Sequence, residues 1–221
     1  MGTIYDCRDT SEALTGLRLA RQAIGRGQLV VIPTDTVYGV AADAFNPAAV
    51  HKLLDAKGRS RQSPPPVLID GAQTLAALAE QTTPEMDKLA EAFWPGGLTI
   101  VVPARSTLSW DLGDTNGTVA VRVPDHEITR EFLRETGPLA VSSANLTGQP
   151  AALNAEEAKD QLGDSIEVYL SAGDSSESRT GSTIVDATPT LTGQPVRILR
   201  EGTVSREAIR DLLGAIAEDD A

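Results

Sequence analysis

Short apolar runs and amphipathic stretches follow one another along the chain. Residues 11–24 place leucine, alanine and isoleucine at helical spacing, after Asp9 and Thr10 as candidate N-caps and before Gly25. Residues 29–33 then form a short apolar, β-branched run closed by proline, which is the pattern of a strand buried on both faces. A helix followed by a buried strand predicts an α/β protein.

Three further helices are marked by their first residues. Asn46 and Thr83 are each followed by proline, which is favoured at the first helical position. We therefore predict helices that begin after these two caps and end near residues 56 and 93. Ser205 is the candidate cap of a last helix that ends near residue 216.

Further strands are predicted where short apolar runs end in turn residues. These runs are residues 67–69, 98–102, 119–123, 139–142, 166–170, 183–185 and 196–199. The segments between the last three of these strands are too short for helical crossovers, so we expect these three strands to pair antiparallel. The expected fold class is therefore α/β with a mixed parallel and antiparallel sheet.

The net charge of the protein limits the kinds of partner that it can bind. The 221 residues carry 31 acidic and 19 basic side chains, a formal net charge of -12, the opposite of the footprint of a protein that coats nucleic acid. Cys7 is the one cysteine, so no internal disulfide can form. No run approaches the roughly 18 apolar residues of a membrane span, and no basic segment followed by an apolar run marks export. We expect no membrane contact and a cytoplasmic location.

Residues 33–39, Pro-Thr-Asp-Thr-Val-Tyr-Gly, place three hydroxyls and a carboxylate where a buried strand is predicted to end. Strand ends are where α/β sheets bind ligands. The alternative is a turn in which Thr34 and Asp35 satisfy local backbone groups. Four hydrogen-bonding side chains are more than such a turn needs, so we favour a ligand-binding segment.

Three cations, Lys57, Arg59 and Arg61, follow the second predicted helix. A positive cluster in an acidic chain suggests an anionic ligand, and a triphosphate needs several cations because charge develops on the reacting phosphorus and the leaving pyrophosphate. The alternative is that cations near a helix C-terminus complement the helix dipole. Since a helix end does not by itself require Gly58 between two of them, we favour the anionic ligand.

Residues 141–148, Val-Ser-Ser-Ala-Asn-Leu-Thr-Gly, offer hydroxyl and amide groups suited to a nucleotide, with a capped turn as the alternative. The Gly-x-Ser-x-Gly elbow is absent, so Ser142 and Ser143 are weak candidates for a serine hydrolase. Phosphate-loop, Gly-x-Gly-x-x-Gly and zinc-ligand patterns are absent as well, and His51 is predicted to lie on the surface. The Gly- and Ser-rich stretch 171–182 predicts a flexible loop, either a lid or slack chain.

The order of these clusters is more specific than any one of them. Between residues 33 and 202 the chain carries Pro-Thr-Asp-Thr-Val-Tyr-Gly, Lys-Gly-Arg, Phe-Trp-Pro-Gly-x-Leu-Thr, Val-Ala-Val-Arg-Val-Pro, Ser-Ala-Asn-Leu-Thr-Gly, Ser-Thr-Ile-Val-Asp and Ile-Leu-Arg-x-Gly. In this combination it resembles the YrdC-like L-threonylcarbamoyladenylate synthases, in their short form. The resemblance implies a synthase domain over residues 1–204, with a twisted mixed sheet around a deep cavity, and a C-terminal helix and acidic tail over 205–221.

The resemblance also implies an enzyme that joins L-threonine, bicarbonate and ATP into threonylcarbamoyl-AMP and pyrophosphate, for modification of adenosine 37 in tRNA. It implies Mg2+ bound mainly through the ATP phosphates, and a partner transferase that passes the threonylcarbamoyl group to tRNA. Contact with tRNA itself is expected to be weak or indirect.

Family positions carried over to this sequence give the expected site residues. Thr36, Arg122 and Ser182 are expected to bind threonine. ATP is expected to contact Lys57, Arg59, Ser63, Thr118, Ser143, Asn145 and Arg200, with Lys57 and Arg59 as the catalytic cations. Leu68 departs from the family, where His is frequent, and Gly97 and Gly181 stand where proline is usual. We expect looser loops from these departures, not lost chemistry.

Two other functions stay open at this stage. An RNA-binding module of the same fold is disfavoured by the net charge of -12. Another carbamoyl-adenylate-forming enzyme, such as the corresponding domain of hydrogenase maturation carbamoyltransferases, would belong to a much longer chain with zinc-finger segments, which a sequence with one cysteine lacks.

Overall fold

A computed structural model describes residues 2–175 and 178–217 of the chain. The helices are α1 (Thr10–Gly25), α2 (Pro47–Lys57), α3 (Leu75–Leu78), α4 (Pro84–Phe93), α5 (Glu127–Thr136), α6 (Ala155–Leu162) and α7 (Arg206–Leu213). The strands are β1 (Thr3–Asp6), β2 (Val30–Ile32), β3 (Gly39–Asp43), β4 (Val67–Leu68), β5 (Leu98–Pro103), β6 (Thr118–Arg122), β7 (Leu139–Ser143), β8 (Val168–Ser171), β9 (Thr183–Asp186) and β10 (Arg197–Arg200).

These ten strands form one sheet in the order β1-β8-β2-β3-β7-β4-β6-β5-β9-β10. The pairs β1/β8, β2/β8, β4/β6 and β5/β9 are parallel, and the other five are antiparallel. The predicted α/β class with a mixed sheet is confirmed.

Antiparallel pairing was predicted among the last three strands, and it is right for the last two and wrong for the first of them. β9 and β10 pair antiparallel as expected, but β8 lies at the other end of the sheet, parallel to both β1 and β2. β9 instead runs parallel to β5. β8 and β9 therefore lie near opposite ends of the sheet, although they are neighbours in sequence.

Five elements carry too weak a signal to be predicted, among them the four-residue helix α3. The edge strand β1 is mostly polar, and β3 is glycine- and alanine-rich, with low strand propensity. The N-cap of α5, His126, makes no side-chain capping bond, and half of the residues of α6 are charged. The last helix, α7, ends at Leu213, three residues before the predicted end at 216, because Gly214 adopts a left-handed conformation that stops it.

The capping residues fix the helix starts as predicted. The Asp9 carboxylate accepts from the backbone N–H groups of Ser11 and Glu12, and the side chains of Asn46 and Thr83 cap α2 and α4. The end of α2 corrects the argument from the sequence that a helix end does not require Gly58. Gly58 is its left-handed C-cap, at φ 63°, so the helix end does call for this glycine.

The described core consists of three apolar clusters around the sheet. Alternate residues of β2 contribute to two of them, Val30 and Ile32 on the face covered by α1 and α5, and Val31 on the face covered by α2 and α6. The strand is thus buried on both faces, as predicted. The third cluster lies under α4 and α7, where Ile209 is fully buried. Helix α7 begins just after the predicted boundary at 204, and residues 218–221 of the predicted tail lie outside the described residues.

Candidate functional site

A cavity of about 340 Å³ opens where seven strands begin or end. This volume falls within the range of about 300 to 1,000 Å³ typical of small-molecule sites. Its wall takes residues from β3, β4, β5, β6, β7, β9 and β10, from the loop after β2, and from the segments 59–66, 145–151 and 179–182. Strand ends therefore bring together clusters that are up to about 160 residues apart in sequence.

Four arginines line this cavity, Arg59, Arg122, Arg179 and Arg200, whereas the described wall contains no aspartate or glutamate. The cavity wall is thus positively charged, although the chain as a whole has a net charge of -12. Within the described ranges, no carboxylate forms an ion pair with Arg59 or Arg200. The cavity is therefore suited to an anionic ligand.

Arg122, the last residue of β6, is the most deeply set of these cations. Its side chain is 7% exposed and pairs through Nη2 with Asp35, whose side chain is 18% exposed. Its Nη1 donates to Thr36 Oγ1 at 2.9 Å and its Nε to the Gly96 carbonyl at 2.8 Å. Burial lowers the pKa of this guanidinium, which Asp35 opposes. The charge is thus held rigidly at the cavity wall.

The motif at residues 33–39 serves both as a turn and as a wall of the cavity. Thr34 Oγ1 donates to the Val37 carbonyl at 2.6 Å and accepts from the Thr36 N–H at 3.2 Å, which is local turn chemistry. Thr36 Oγ1 instead faces Arg122, and Asp35 pairs with Arg122 from outside the cavity lining. Thr34 therefore forms the turn and also lines the cavity with Thr36, and ligand binding by this motif stays a prediction.

Ser182 and Arg200 form a second polar group on the wall. Ser182 Oγ lies 2.7 Å from Thr99 Oγ1, and Arg200 Nη2 donates to the Ser182 carbonyl at 2.6 Å. A bulge in β10 places Arg200, not Leu199, opposite Ile184, which also lines the cavity. The bulge thus turns a guanidinium into the cavity where regular alternation would place a leucine.

Arg59 lines the same cavity as Arg200. Its Nη1 donates to Ser142 Oγ at 3.2 Å. Burial, and next the positive charge of Arg59, lower the pKa of Arg200. The two guanidinium groups therefore repel each other across the cavity, and an anion between them would relieve this repulsion.

Lys57 lies behind the wall and does not line the cavity. It is 1% exposed, and its Nζ donates to the carbonyl oxygens of Ser143 and Asn145, the latter at 2.6 Å. In return, Thr147 donates to the Lys57 carbonyl from its N–H at 3.1 Å and from its Oγ1 at 2.7 Å. Lys57 thereby fastens the loop after β7 to the end of α2.

Seven of the ten expected site residues line the cavity. They are Thr36, Arg59, Arg122, Ser143, Asn145, Ser182 and Arg200. Lys57 lies behind the wall, and Ser63 and Thr118 lie outside the lining, with Ser63 exposed and Thr118 Oγ1 donating to the Thr115 carbonyl at 2.7 Å. The ligand roles assigned to all ten stay predictions.

The three departures from the family pattern lie at or beside the cavity. Leu68 lines it and is 3% exposed, so this part of the wall is apolar. A Cβ at Gly97 would lie 2.0 Å from Thr203 Oγ1, and a Cβ at Gly181 would lie 3.1 Å from Arg200 Nη2. The two glycines therefore leave room for neighbouring side chains.

Six polar residues of the wall are not among the expected site residues: Thr34, Tyr38, Thr99, Ser142, Gln149 and Arg179. Thr34, Tyr38, Thr99 and Ser142 lie within the polar motifs of the sequence, so their place in those motifs was the available signal. Gln149 and Arg179 belong to connecting segments, whose path the sequence does not reveal.

The predicted loop at 171–182 is anchored at its start. Tyr38 Oη donates to the Gly173 carbonyl at 2.6 Å and accepts from the Ala172 N–H at 2.9 Å. Residues 176 and 177 of the loop lie outside the described residues. A lid function for this loop stays a prediction.

No described helix is long and apolar enough to cross a membrane. His51 lies on the surface as predicted, with its Nε2 3.6 Å from Asp55. Over residues 2–175 and 178–217, no group of three His, Cys, Asp or Glu side chains is arranged to hold a metal ion.

Comparison with known proteins gives consistent matches. Residues 22–202 match the family model Sua5_yciO_yrdC, described as Telomere recombination. A Mycobacterium tuberculosis protein provisionally named threonylcarbamoyl-AMP synthase is 49% identical over 217 residues, 98% of each chain. The threonylcarbamoyl-AMP synthase of Pyrococcus abyssi is 36% identical over 203 residues, 90% of this chain and 58% of that protein.

Two solved structures extend the comparison. P. abyssi Sua5 complexed with L-threonine superposes with a TM-score of 0.86 at 32% identity, over 98% of this chain and 62% of that chain. Escherichia coli YciO superposes with a TM-score of 0.80 at 18% identity, over 95% of this chain and all of that chain, which bears on the fold alone.

Proposed function

Because this chain belongs to the Sua5/YciO/YrdC family, we propose that it is an L-threonylcarbamoyladenylate synthase, which makes threonylcarbamoyl-AMP and pyrophosphate from L-threonine, bicarbonate and ATP. The observation that carries the proposal is the cavity with four arginines and no carboxylate in its described wall. The names of the M. tuberculosis and P. abyssi relatives and the threonine complex of P. abyssi Sua5 support the same activity.

The threonine end of the site is assigned to the surroundings of Arg122. A guanidinium binds a carboxylate through two parallel hydrogen bonds, and Arg122 is already oriented by Asp35, Thr36 and the Gly96 carbonyl. The hydroxyl pair of Thr99 and Ser182 lies on the same wall and supplies partners for the polar groups of threonine. The Arg122 guanidinium therefore needs no rearrangement to bind the threonine carboxylate.

The nucleotide end is assigned to Arg59, Arg200 and the loop after β7. Neither guanidinium forms an ion pair with a carboxylate of the described residues, so both suit the phosphates, and Ser142 and Ser143 offer hydroxyl groups beside them. The Asn145 amide already donates to the Leu146 and Gln149 carbonyls, so it holds this loop in shape. On this assignment, Lys57 is a positioning residue, because its ammonium holds the carbonyls of Ser143 and Asn145.

The chemistry needs two steps. The threonine amine loses a proton and attacks the carbon of bicarbonate, so that water leaves and a carbamate remains. A carbamate oxygen then attacks the α-phosphorus of ATP, the bond from this phosphorus to the bridging oxygen breaks, and pyrophosphate leaves with the electron pair. Arginine side chains stabilise the charge that develops on the phosphorus and on pyrophosphate, so catalysis here is mostly positioning and electrostatics.

Mg2+ is proposed to enter with ATP. The described cavity wall offers hydroxyl, amide and guanidinium groups and no carboxylate, whereas Mg2+ in phosphoryl-transfer sites is bound through substrate phosphates and usually one or two carboxylates. The donor set therefore suits a metal ion held mainly by the phosphate oxygens of the nucleotide, where it would neutralise their charge.

The product is proposed to pass to a transferase that modifies adenosine 37 of tRNA, in the cytoplasm. Direct contact with tRNA is expected to be weak, because a net charge of -12 repels the phosphate backbone. A salt-dependent signal for tRNA in filter binding would contradict this part and favour the RNA-binding alternative.

The proposal is tested by pyrophosphate release from the purified protein with ATP and Mg2+, with and without L-threonine and bicarbonate. Release is expected to require both co-substrates and to fall about 100-fold in Arg59→Ala, as for the loss of a charge-stabilising donor. Arg61→Ala is the matched control, because Arg61 pairs with Asp111 outside the cavity. No release with threonine under any condition would reject the synthase.

A further inference from the structure

Arg179 is the fourth cation of the cavity wall, and the reaction proposed above gives it no role. Its guanidinium pairs with Glu157 through two hydrogen bonds, Nη1 to Oε2 at 2.8 Å and Nη2 to Oε1 at 3.0 Å. Nη1 also donates to the Ala151 carbonyl. Arg179 and Ala151 line the cavity, whereas Glu157, on α6, does not.

The ion pair with Glu157 is exchangeable. The two side chains are 35% and 37% exposed, so water screens the pair and an incoming anion can reach the guanidinium. A phosphate presents the same pair of oxygens to a guanidinium as a carboxylate does, with more negative charge. An anion in the cavity therefore competes with Glu157 for Arg179.

The backbone at Arg179 also points to function. Its φ of 50° lies in the left-handed region, which arginine rarely adopts. Such conformations cluster at ligand-binding sites, where surrounding structure maintains them. Here the conformation places the side chain on the wall shared with Arg59 and Arg200.

We propose that Arg179 is a further anion-binding residue, which leaves the Glu157 carboxylate and binds a phosphate oxygen of ATP or of the pyrophosphate product. The proposal rests on the synthase function, since it names a new contact for the same nucleotide. Glu157 then acts as a stand-in for the phosphate, keeping Arg179 charged and close to the cavity when the nucleotide is absent.

Titration calorimetry with inorganic pyrophosphate plus Mg2+, and separately with ATP, tests this on four proteins: wild type, Arg179→Gln, Glu157→Gln and the control Arg21→Gln. Arg21 forms an exposed ion pair with Glu135 away from the cavity. Arg179→Gln is expected to weaken binding of both ligands about tenfold, the loss of one charge-assisted hydrogen bond. Glu157→Gln is expected to tighten binding about two- to fivefold, because the competitor is removed.

The opposite signs separate this role from a structural one. If the ion pair merely holds the chain in place, both variants break the same contact and both weaken binding. Weaker or unchanged binding in Glu157→Gln, or unchanged binding in Arg179→Gln, would overturn the proposal. Failure of the synthase proposal is seen separately, as the absence of threonine-dependent pyrophosphate release by the wild type.

Discussion

The ammonium of Lys57 is bound to the backbone carbonyl of Asn145, with 2.6 Å between Nζ and the oxygen. This contact joins the last turn of α2 to the loop that follows β7, across 88 residues of sequence. Lys57 is 1% exposed and Asn145 is 7% exposed, so the hydrogen bond between them is shielded from water. The position of the Ser143–Asn145 segment in the cavity wall therefore depends on Lys57.

Lys57→Met is expected to raise the KM for ATP about tenfold while leaving the KM for threonine within about twofold, because a buried carbonyl that loses its donor costs about 1 to 3 kcal/mol and the loop will shift to find water. Lys52→Met is the control, since Lys52 lies on the same helix and is exposed. Loss of kcat in Lys57→Met at an unchanged KM for ATP would instead place the ammonium on the reacting phosphate.

The burial of Lys57 also predicts how stability depends on pH. Burial, and next the charge of Arg59, lower its pKa from 10.5 to about 7. Between these values the unfolded state binds more protons than the folded state, so the stability contributed by this group rises with pH. From pH 7 to pH 9, the wild type is expected to gain about 2 kcal/mol relative to Lys57→Met.

Urea unfolding of both proteins at pH 7, 8 and 9 measures this difference. The comparison between pH values is cleaner than a single pH, because the substitution removes a buried charge and also leaves carbonyls unpaired, two opposite effects. Stability curves that stay parallel over this range would show that Lys57 remains protonated in the folded protein.

Asp35 is expected to support threonine binding from outside the cavity. Asp35→Ala leaves the buried Arg122 charge with the Gly96 carbonyl and Thr36 Oγ1 as partners, and breaking a buried ion pair from one side costs about 3 kcal/mol. We expect that loss of unfolding free energy and a rise of at least about tenfold in the KM for threonine. Asp111→Ala, which breaks the exposed pair with Arg61, is expected to change neither; equal effects in the two variants would contradict the assignment.

Local chemistry explains which parts of the fold the sequence predicts. Asn46 and Thr83 form their caps with backbone groups three residues away, so the signal and the structure lie in the same short segment. The buried strand β2 is recognisable for the same reason. The polar clusters at strand ends were also predictable as cavity residues, because strand ends converge in α/β sheets.

Long-range geometry explains the rest. No local pattern indicates that β8 joins β1 and β2, that a bulge at Leu199 turns Arg200 into the cavity, or that Lys57 lies behind the cavity wall. These features depend on which surfaces meet after folding. Arg179 reaches the wall through an ion pair with α6, 22 residues earlier in the chain, which spacing alone does not indicate.

Gly202 is expected to be essential for the placement of Arg200. A Cβ at this position would lie 2.3 Å from the Gly181 carbonyl oxygen and 2.6 Å from the Thr183 nitrogen. Both are backbone atoms, so the β9–β10 hairpin would have to separate, and the hydrogen bond from Arg200 to the Ser182 carbonyl would be lost. Gly202→Ala is therefore expected to cost about 2 kcal/mol of stability, as overpacking does, and to raise the KM for ATP about tenfold. Gly25→Ala is the control, because a Cβ there meets nothing within 4 Å. Thermal unfolding and pyrophosphate-release kinetics measure both effects, and a Gly202→Ala protein that loses stability but keeps its KM for ATP would separate Arg200 from nucleotide binding.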